Sequence, residues 1–220
     1  MSTQINKDVS CPHCGAIVKT QMWPGINAEN NPELKTLVLD ETLFDWKCPT
    51  CGYEAQLVYP CLYHDKSKKF MIYVVPNGND CTLQSVDVSE EFPQFQEITK
   101  RVVTSLTGLK EKILIFEAGL DDLAVELVKL ALTDVACKKH GRSVTSGYFC
   151  FVDQQTGRIG FSFFLEGETE PVHQDTRMDV YHKSFEIVES VGALAVDGEF
   201  KAVDSEVAQK ILREYRGEEE

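Results

Sequence analysis

The sequence predicts an α+β protein. An N-terminal β unit built on two cysteine-bearing turns leads into a β-hairpin, a helical pair and a C-terminal α+β segment. Three observations carry this. The five-residue pattern Cys-Pro-x-Cys-Gly occurs twice in the first quarter of the chain, apolar runs of strand length follow it, and helical periodicity sets in only after residue 104.

The cysteine turns come first. In Cys11-Pro12-His13-Cys14-Gly15 and Cys48-Pro49-Thr50-Cys51-Gly52 the two cysteine pairs are separated by thirty-three residues. Two cysteines spaced by two residues can turn both sulfurs inward from one tight turn, supplying two corners of a tetrahedron; a second pair supplies the other two. Proline after the first cysteine keeps that cysteine extended as it enters the turn. Glycine after the second takes positive φ without a clash and lets backbone N–H groups face the sulfurs. Cys11, Cys14, Cys48 and Cys51 are therefore expected to hold one structural Zn2+, with residues 1–56 forming a zinc ribbon-like unit of short strands and a loop from Trp23 to Leu39. Iron is the rival metal: Asp45 to Gly52 is similar to the second knuckle of rubredoxins, whereas Ala16-Ile17-Val18 after the first knuckle lacks the aromatic residues found there. Four thiolates leave no open coordination position, so chemistry at the metal is not expected. His13 is expected to face solvent.

A second segment, 57–141, starts with two runs apolar on both faces. Leu57 to Tyr63 and Phe70 to Val75 flank Asp65-Lys66-Ser67-Lys68-Lys69 and read as a buried hairpin. The polar stretch from Pro76 to Gln96 reads as loop. Thr104 or Ser105 can cap a helix with the apolar stripe Leu106, Leu109, Ile113 and Phe116, ended by Gly119. Asp121 can cap the next helix. That helix keeps one narrow polar stripe, Asp122, Glu126, Lys129 and Thr133, so it should be packed on most sides; Lys138, Lys139 and His140 suit its negative end before Gly141.

Residues 142–220 form the third segment. Tyr148 to Val152 and Arg158 to Leu165 read as a hairpin, Val180 to Val191 as a helix and Phe200 to Val203 as a short strand. Asp204 or Ser205 caps a last helix to Arg216, before an acidic tail from Glu218 to Glu220.

Composition bounds the function. The chain has 220 residues and a net charge of −13, but residues 1–75 carry only −1 of it and the remainder −12. A phosphate backbone needs clustered Lys and Arg; Lys66, Lys68 and Lys69 are the one such run, so nucleic acid is disfavoured and a protein partner preferred. No stretch at the start resembles a signal peptide, and Leu120 to Ala136 is too charged to span a bilayer, so a soluble, cytoplasmic protein is expected. In that compartment thiols stay reduced. The remaining cysteines, Cys61, Cys81, Cys137 and Cys150, read as small core residues, Cys61 being the candidate for a spare thiol near the metal.

These motifs together resemble the CpXC domain family of bacteria and archaea. The resemblance rests on the two CPxCG elements, on Tyr63-His64-Asp65, on Leu109-Lys110-Glu111-Lys112-Ile113, and on Phe116-Glu117-Ala118-Gly119-Leu120-Asp121-Asp122. It covers roughly residues 8–135, with looser similarity through Val203-Asp204. It implies a zinc-binding N-terminal part and a bacterial or archaeal source. It implies no activity, because the family's function is not established.

The leading functional reading is thus a zinc-stabilised binding or adaptor protein with no catalytic residues. Two alternatives stand beside it: an iron electron carrier, and an enzyme with an acid–base site away from the metal. The second would draw on His64, Asp65, Arg101, Glu111, Lys112, Asp121, Asp122 and Glu126. Each has a plainer use, with Asp121 as a helix cap, Glu111 and Lys112 on a solvated helix face, and His64 and Asp65 ending a strand at a turn.

Overall fold

Each cysteine turn closes a β-hairpin. In the computed structural model, which describes residues 2–76, 98–194 and 199–218, β1 (Thr3–Ser10) enters the first turn and β2 (Ile17–Asn27) leaves it antiparallel. Around the second turn, β3 (Asp45–Lys47) pairs antiparallel with β4 (Glu54–Gln56). The stretch from Trp23 to Leu39 is more ordered than a loop. β2 continues to Asn27, and α1 (Pro32–Leu39) follows, with proline in its first turn, where a missing N–H costs nothing. β2 runs on through Trp23-Pro24, where the β1–β2 register slips between Thr3 and Ile5, so Pro24 sits at an irregularity.

Past that irregularity β2 takes a second partner. Gly25, Ile26 and Asn27 pair in parallel with Leu62, Tyr63 and His64 of β5 (Cys61–Asp65). The expected hairpin of β5 with β6 (Phe70–Val74) forms, although its first strand starts at Cys61 and not at Leu57; Asp65 turns it, its carboxylate accepting from Lys68 N–H at 3.0 Å and Ser67 Oγ at 2.7 Å. β7 (Thr99–Val103) lies parallel to β6 and completes a five-stranded sheet of order β1-β2-β5-β6-β7. No strand is expected over Thr-Lys-Arg-Val-Val, because two adjacent cations obscure it. Yet Lys100 is buried, with its ammonium 5.9 Å from the centre of the Phe200 ring. The expected strand at Phe200 reduces to a bridge between Lys201 and Arg101. The loop expected from Pro76 to Gln96 lies, but for Pro76, outside the described residues.

The chain falls into two compact units, Met1–Lys110 with Gly198–Lys201, and Glu111–Asp197 with Ala202–Glu220. The division lies within α2 (Leu106–Glu117). Ser105 caps that helix by accepting from Gly108 N–H at 3.0 Å, and Gly119 follows its end at φ +71°.

In the second unit, α3 (Asp122–His140) is capped by Asp121, which accepts from Ala124 N–H, and ends at Gly141 in the left-handed conformation. A three-stranded antiparallel sheet follows, made of β8 (Val144–Asp153), β9 (Arg158–Leu165) and β10 (Val172–Arg177) in the order β10-β9-β8. β10 has no apolar run to announce it. Helices α4 (Met178–Ser190) and α5 (Ser205–Arg216) fall where expected, α5 capped by Asp204. α3 packs against α4, α5 and β8, and the core gathers Ile115, Val125, Val128, Phe161, Phe163, Val188 and Ile211. No helix among the described residues is long and apolar enough to cross a membrane.

One glycine beside this core is there for space. Gly147 of β8 stands opposite Phe163, and a Cβ added to it would meet the Phe163 ring at 2.7 Å. Phe163 is fully buried and cannot swing away. Gly147→Ala should therefore cost about 1–3 kcal/mol, read as a lowered midpoint in chemical denaturation. Gly160→Ala, whose nearest contacts fall on the half-exposed Phe151 ring, should cost less; equal losses would contradict this packing.

Candidate metal centre

The two cysteine turns share one backbone. The N–H of Cys11 donates to the Ala16 carbonyl at 2.9 Å, and that of Gly15 to the Cys11 carbonyl at 2.9 Å. In the second turn Cys48 N–H reaches the Tyr53 carbonyl and Gly52 N–H the Cys48 carbonyl, both at 2.8 Å. Gly15 and Gly52 sit at φ +71° and +75°, the left-handed conformation that the pattern requires.

Both turns point their sulfurs at one spot. Cys11 Sγ lies 3.7 Å from Cys51 Sγ, Cys14 Sγ lies 3.8 Å from Cys48 Sγ, and all four fall within 4.8 Å of one another. A disulfide would need about 2.05 Å. A tetrahedral ion bonded to sulfur at about 2.3 Å gives sulfur–sulfur edges of about 3.8 Å. The spacing fits an ion. Soft thiolates in a tetrahedron suit zinc or iron.

Electrostatics agrees with the geometry. Burial resists ionisation of Cys48, but N–H groups of Cys51 and Thr50 and hydrogen bonds with the sulfurs of Cys11 and Cys51 outweigh it, holding the thiol down at about 6. At Cys51 the Tyr53 N–H favours the thiolate, yet desolvation and the sulfurs of Cys14, Cys48 and Cys11 push it up to about 12. Four sulfurs this close cannot all ionise unless a cation lies among them. The donor set thus fits a divalent metal.

The cage has a dry side and a wet side. Cys11 and Cys48 are each 1% exposed and cluster with Trp46, edged by Val9, Val18, Ala55 and Leu57. Trp46 is fixed by its Nε1–H, which donates to Thr20 Oγ at 3.0 Å. Cys14 and Cys51 are exposed. His13 is exposed, as expected, and its ring stacks on Tyr53 from the other turn, 5.8 Å between centres and 5° from parallel. Cys61 is no part of the cage. It is fully buried, donates to the Trp23 carbonyl at 3.0 Å, and burial pushes its thiol up to about 12. Cys137 and Cys150 are half-buried, and Cys81 lies outside the described residues.

The acid–base candidates divide. Asp65 makes its turn, Asp121 caps α3, and Arg101 donates to the Lys100 carbonyl at 2.9 Å. Burial holds the His64 imidazole below its ordinary range despite the nearby Asp65. The other four come together. Lys112 Nζ meets Asp122 Oδ2 at 2.7 Å, both almost wholly buried. Lys129 Nζ bridges Glu111 at 2.9 Å and Glu126 at 2.8 Å, and Glu111 also accepts from Phe149 N–H of β8 at 2.7 Å. Burial raises the Glu126 carboxyl against the pull of Lys129 and Lys112. Lys129 pays a similar desolvation, but Glu111 and Glu126 reverse it and raise its ammonium.

Glu111 and Lys112 are thus not on a solvated face, and that expectation is corrected. α2 is covered on more than one side, with Leu109 and Ile113 buried along one stripe and Glu111, Lys112 and Ile115 along others. Lys129 belongs with them. The one visible signal was the polar stripe Asp122, Glu126, Lys129 on an otherwise apolar helix.

Comparison with known proteins adds one finding. Residues 9–129, more than half of the chain, match the CpXC protein family. No curated protein and no solved structure matches the chain. The matched span holds both cysteine turns, all of α2 and the first part of α3 with its buried charges, so the chain belongs to the CpXC family.

Proposed function

We propose that this chain is a zinc-stabilised binding or adaptor protein, whose metal anchors the fold and carries out no reaction. The observation that supports it is the convergence of four sulfurs at tetrahedral spacing, a set that fills every coordination position of zinc. Cys11, Cys14, Cys48 and Cys51 would hold the ion, and its double charge would offset their thiolates. Zinc is preferred to iron because the first turn lacks the aromatic residues of a rubredoxin. The buried carboxylates of α2 and α3 are matched with lysines, which favours a structural use for them.

The partner would be a protein with a basic face, met in the cytoplasm, since the excess negative charge is concentrated beyond residue 75. Elemental analysis of the purified chain should find one zinc per chain and no iron, and the protein should be colourless. A red protein with stoichiometric iron would replace this reading with electron transfer. Pulldown with the full chain should recover a protein that is released as salt rises. A search that recovers none, together with turnover of a small molecule, would overturn the adaptor reading.

A further inference from the structure

The exposure of the four sulfurs is unequal, and the inequality is paired. Cys11 and Cys48 lie against Trp46 with 1% of their surface open, whereas Cys14 and Cys51 are exposed. Two of the sulfur–sulfur contacts join an exposed cysteine to the buried one of the opposite turn, Cys51 to Cys11 at 3.7 Å and Cys14 to Cys48 at 3.8 Å. Oxidation of a thiolate requires that the oxidant reach it, and a sulfenic acid beside a second thiolate condenses to a disulfide. We infer that Cys14 and Cys51 are oxidation sites of the zinc-loaded protein, at which a hydroperoxide opens the cage and releases the ion as disulfides form across the two turns. This rests on the zinc reading above.

The chemistry balances with the hydroperoxide as oxidant. The Cys51 thiolate attacks the outer peroxide oxygen; a sulfur–oxygen bond forms, the oxygen–oxygen bond breaks, and alkoxide (hydroxide, for hydrogen peroxide) leaves. Sulfur has lost two electrons and the peroxide has gained them. The Cys11 thiolate then attacks the sulfenic sulfur, and the second hydroxide departs as the sulfur–sulfur bond forms. One peroxide and two thiolates become one disulfide and two oxyanions, which take protons from water. With two of its four ligands gone, zinc is no longer enclosed; a second equivalent repeats the sequence at Cys14 and Cys48. The sulfurs must close from 3.7 Å to about 2.05 Å, a short movement once the metal no longer holds them apart. Cys61, fully buried and hydrogen-bonded to the Trp23 carbonyl, serves as an internal reference that stays reduced.

The sequence makes the test direct. Lys7, Lys19, Lys47 and Lys66 place the two turns on separate tryptic peptides, 8–19 and 48–66, so a disulfide across the turns joins two peptides and one within a turn does not. The zinc-loaded full chain is treated with hydrogen peroxide beside a zinc-binding dye, with dimedone to trap sulfenic acids, and then digested. Zinc release in step with the joined peptide, and first dimedone labelling at Cys14 and Cys51, is expected. Retention of zinc while peroxide is consumed, labelling first at Cys11 or Cys48, or disulfides only within each turn would overturn the inference and leave the zinc reading intact. A chain that neither contains nor takes up zinc removes that reading, and this inference with it.

Discussion

Replacing Cys48 by Ser should empty the purified chain of zinc and loosen the hairpins that carry the cage. Cys48 is the buried member of its turn, its N–H and carbonyl frame that turn, and its sulfur is 3.8 Å from Cys14 Sγ. A serine hydroxyl is a harder and far weaker ligand, and it remains protonated at neutral pH. Structural zinc in comparable small sites contributes about 10–16 kcal/mol of binding free energy, which is folding free energy where no site exists in the unfolded chain. The apolar cluster around the cage is small, Cys11, Trp46 and Cys48 with a few half-buried neighbours, and cannot replace that contribution. Zinc content near zero and a red shift of tryptophan emission are expected for Cys48→Ser, both absent in Cys150→Ser. Full zinc content in Cys48→Ser would remove this cysteine from the ligand set.

The second large effect lies far from the cysteines in sequence. Lys112→Met should destabilise the chain by about 3–5 kcal/mol, because it leaves the Asp122 carboxylate buried without its lysine. For a chain of this size that is roughly 6–20 °C in melting temperature. The double variant Lys112→Met/Asp122→Leu should recover much of the loss, since both charges of the pair then leave the core together. Calorimetry on the two variants separates the cases. If the single variant melts with the parent chain, the ion pair is not part of the folded core.

Legibility in the sequence followed the range of the cause. The cysteine turns were readable because their chemistry is local: proline, glycine and two sulfurs within five residues dictate the turn, and its duplication dictates the partner. The caps Asp121 and Asp204 and the stop at Gly141 were readable for the same reason. Strand β7 was not, because Lys100 is buried with its ammonium near Phe200, a hundred residues away. Nor was β10, whose Val-His-Gln-Asp-Thr-Arg holds a single apolar residue and is set in place by its pairing with β9. The burial of Glu111 and Lys112 depends on α3 and β8 supplying their partners. Half of that network showed in the sequence, as a polar stripe with no stated use.

The partner change along β2 bears on how the chain finds its fold. A parallel pair cannot be closed by a tight turn, and thirty-three residues separate Asn27 from Cys61, the end of β2 from the start of β5. An ion held between the 11–14 turn and the 48–51 turn would bridge most of that interval in advance. Only residues 52–60 then remain to be ordered before β5 can dock, a saving of about 1 kcal/mol in loop-closure entropy. Capture of a metal by the four cysteines would then fall early in the folding sequence, bringing two distant strands within reach of each other.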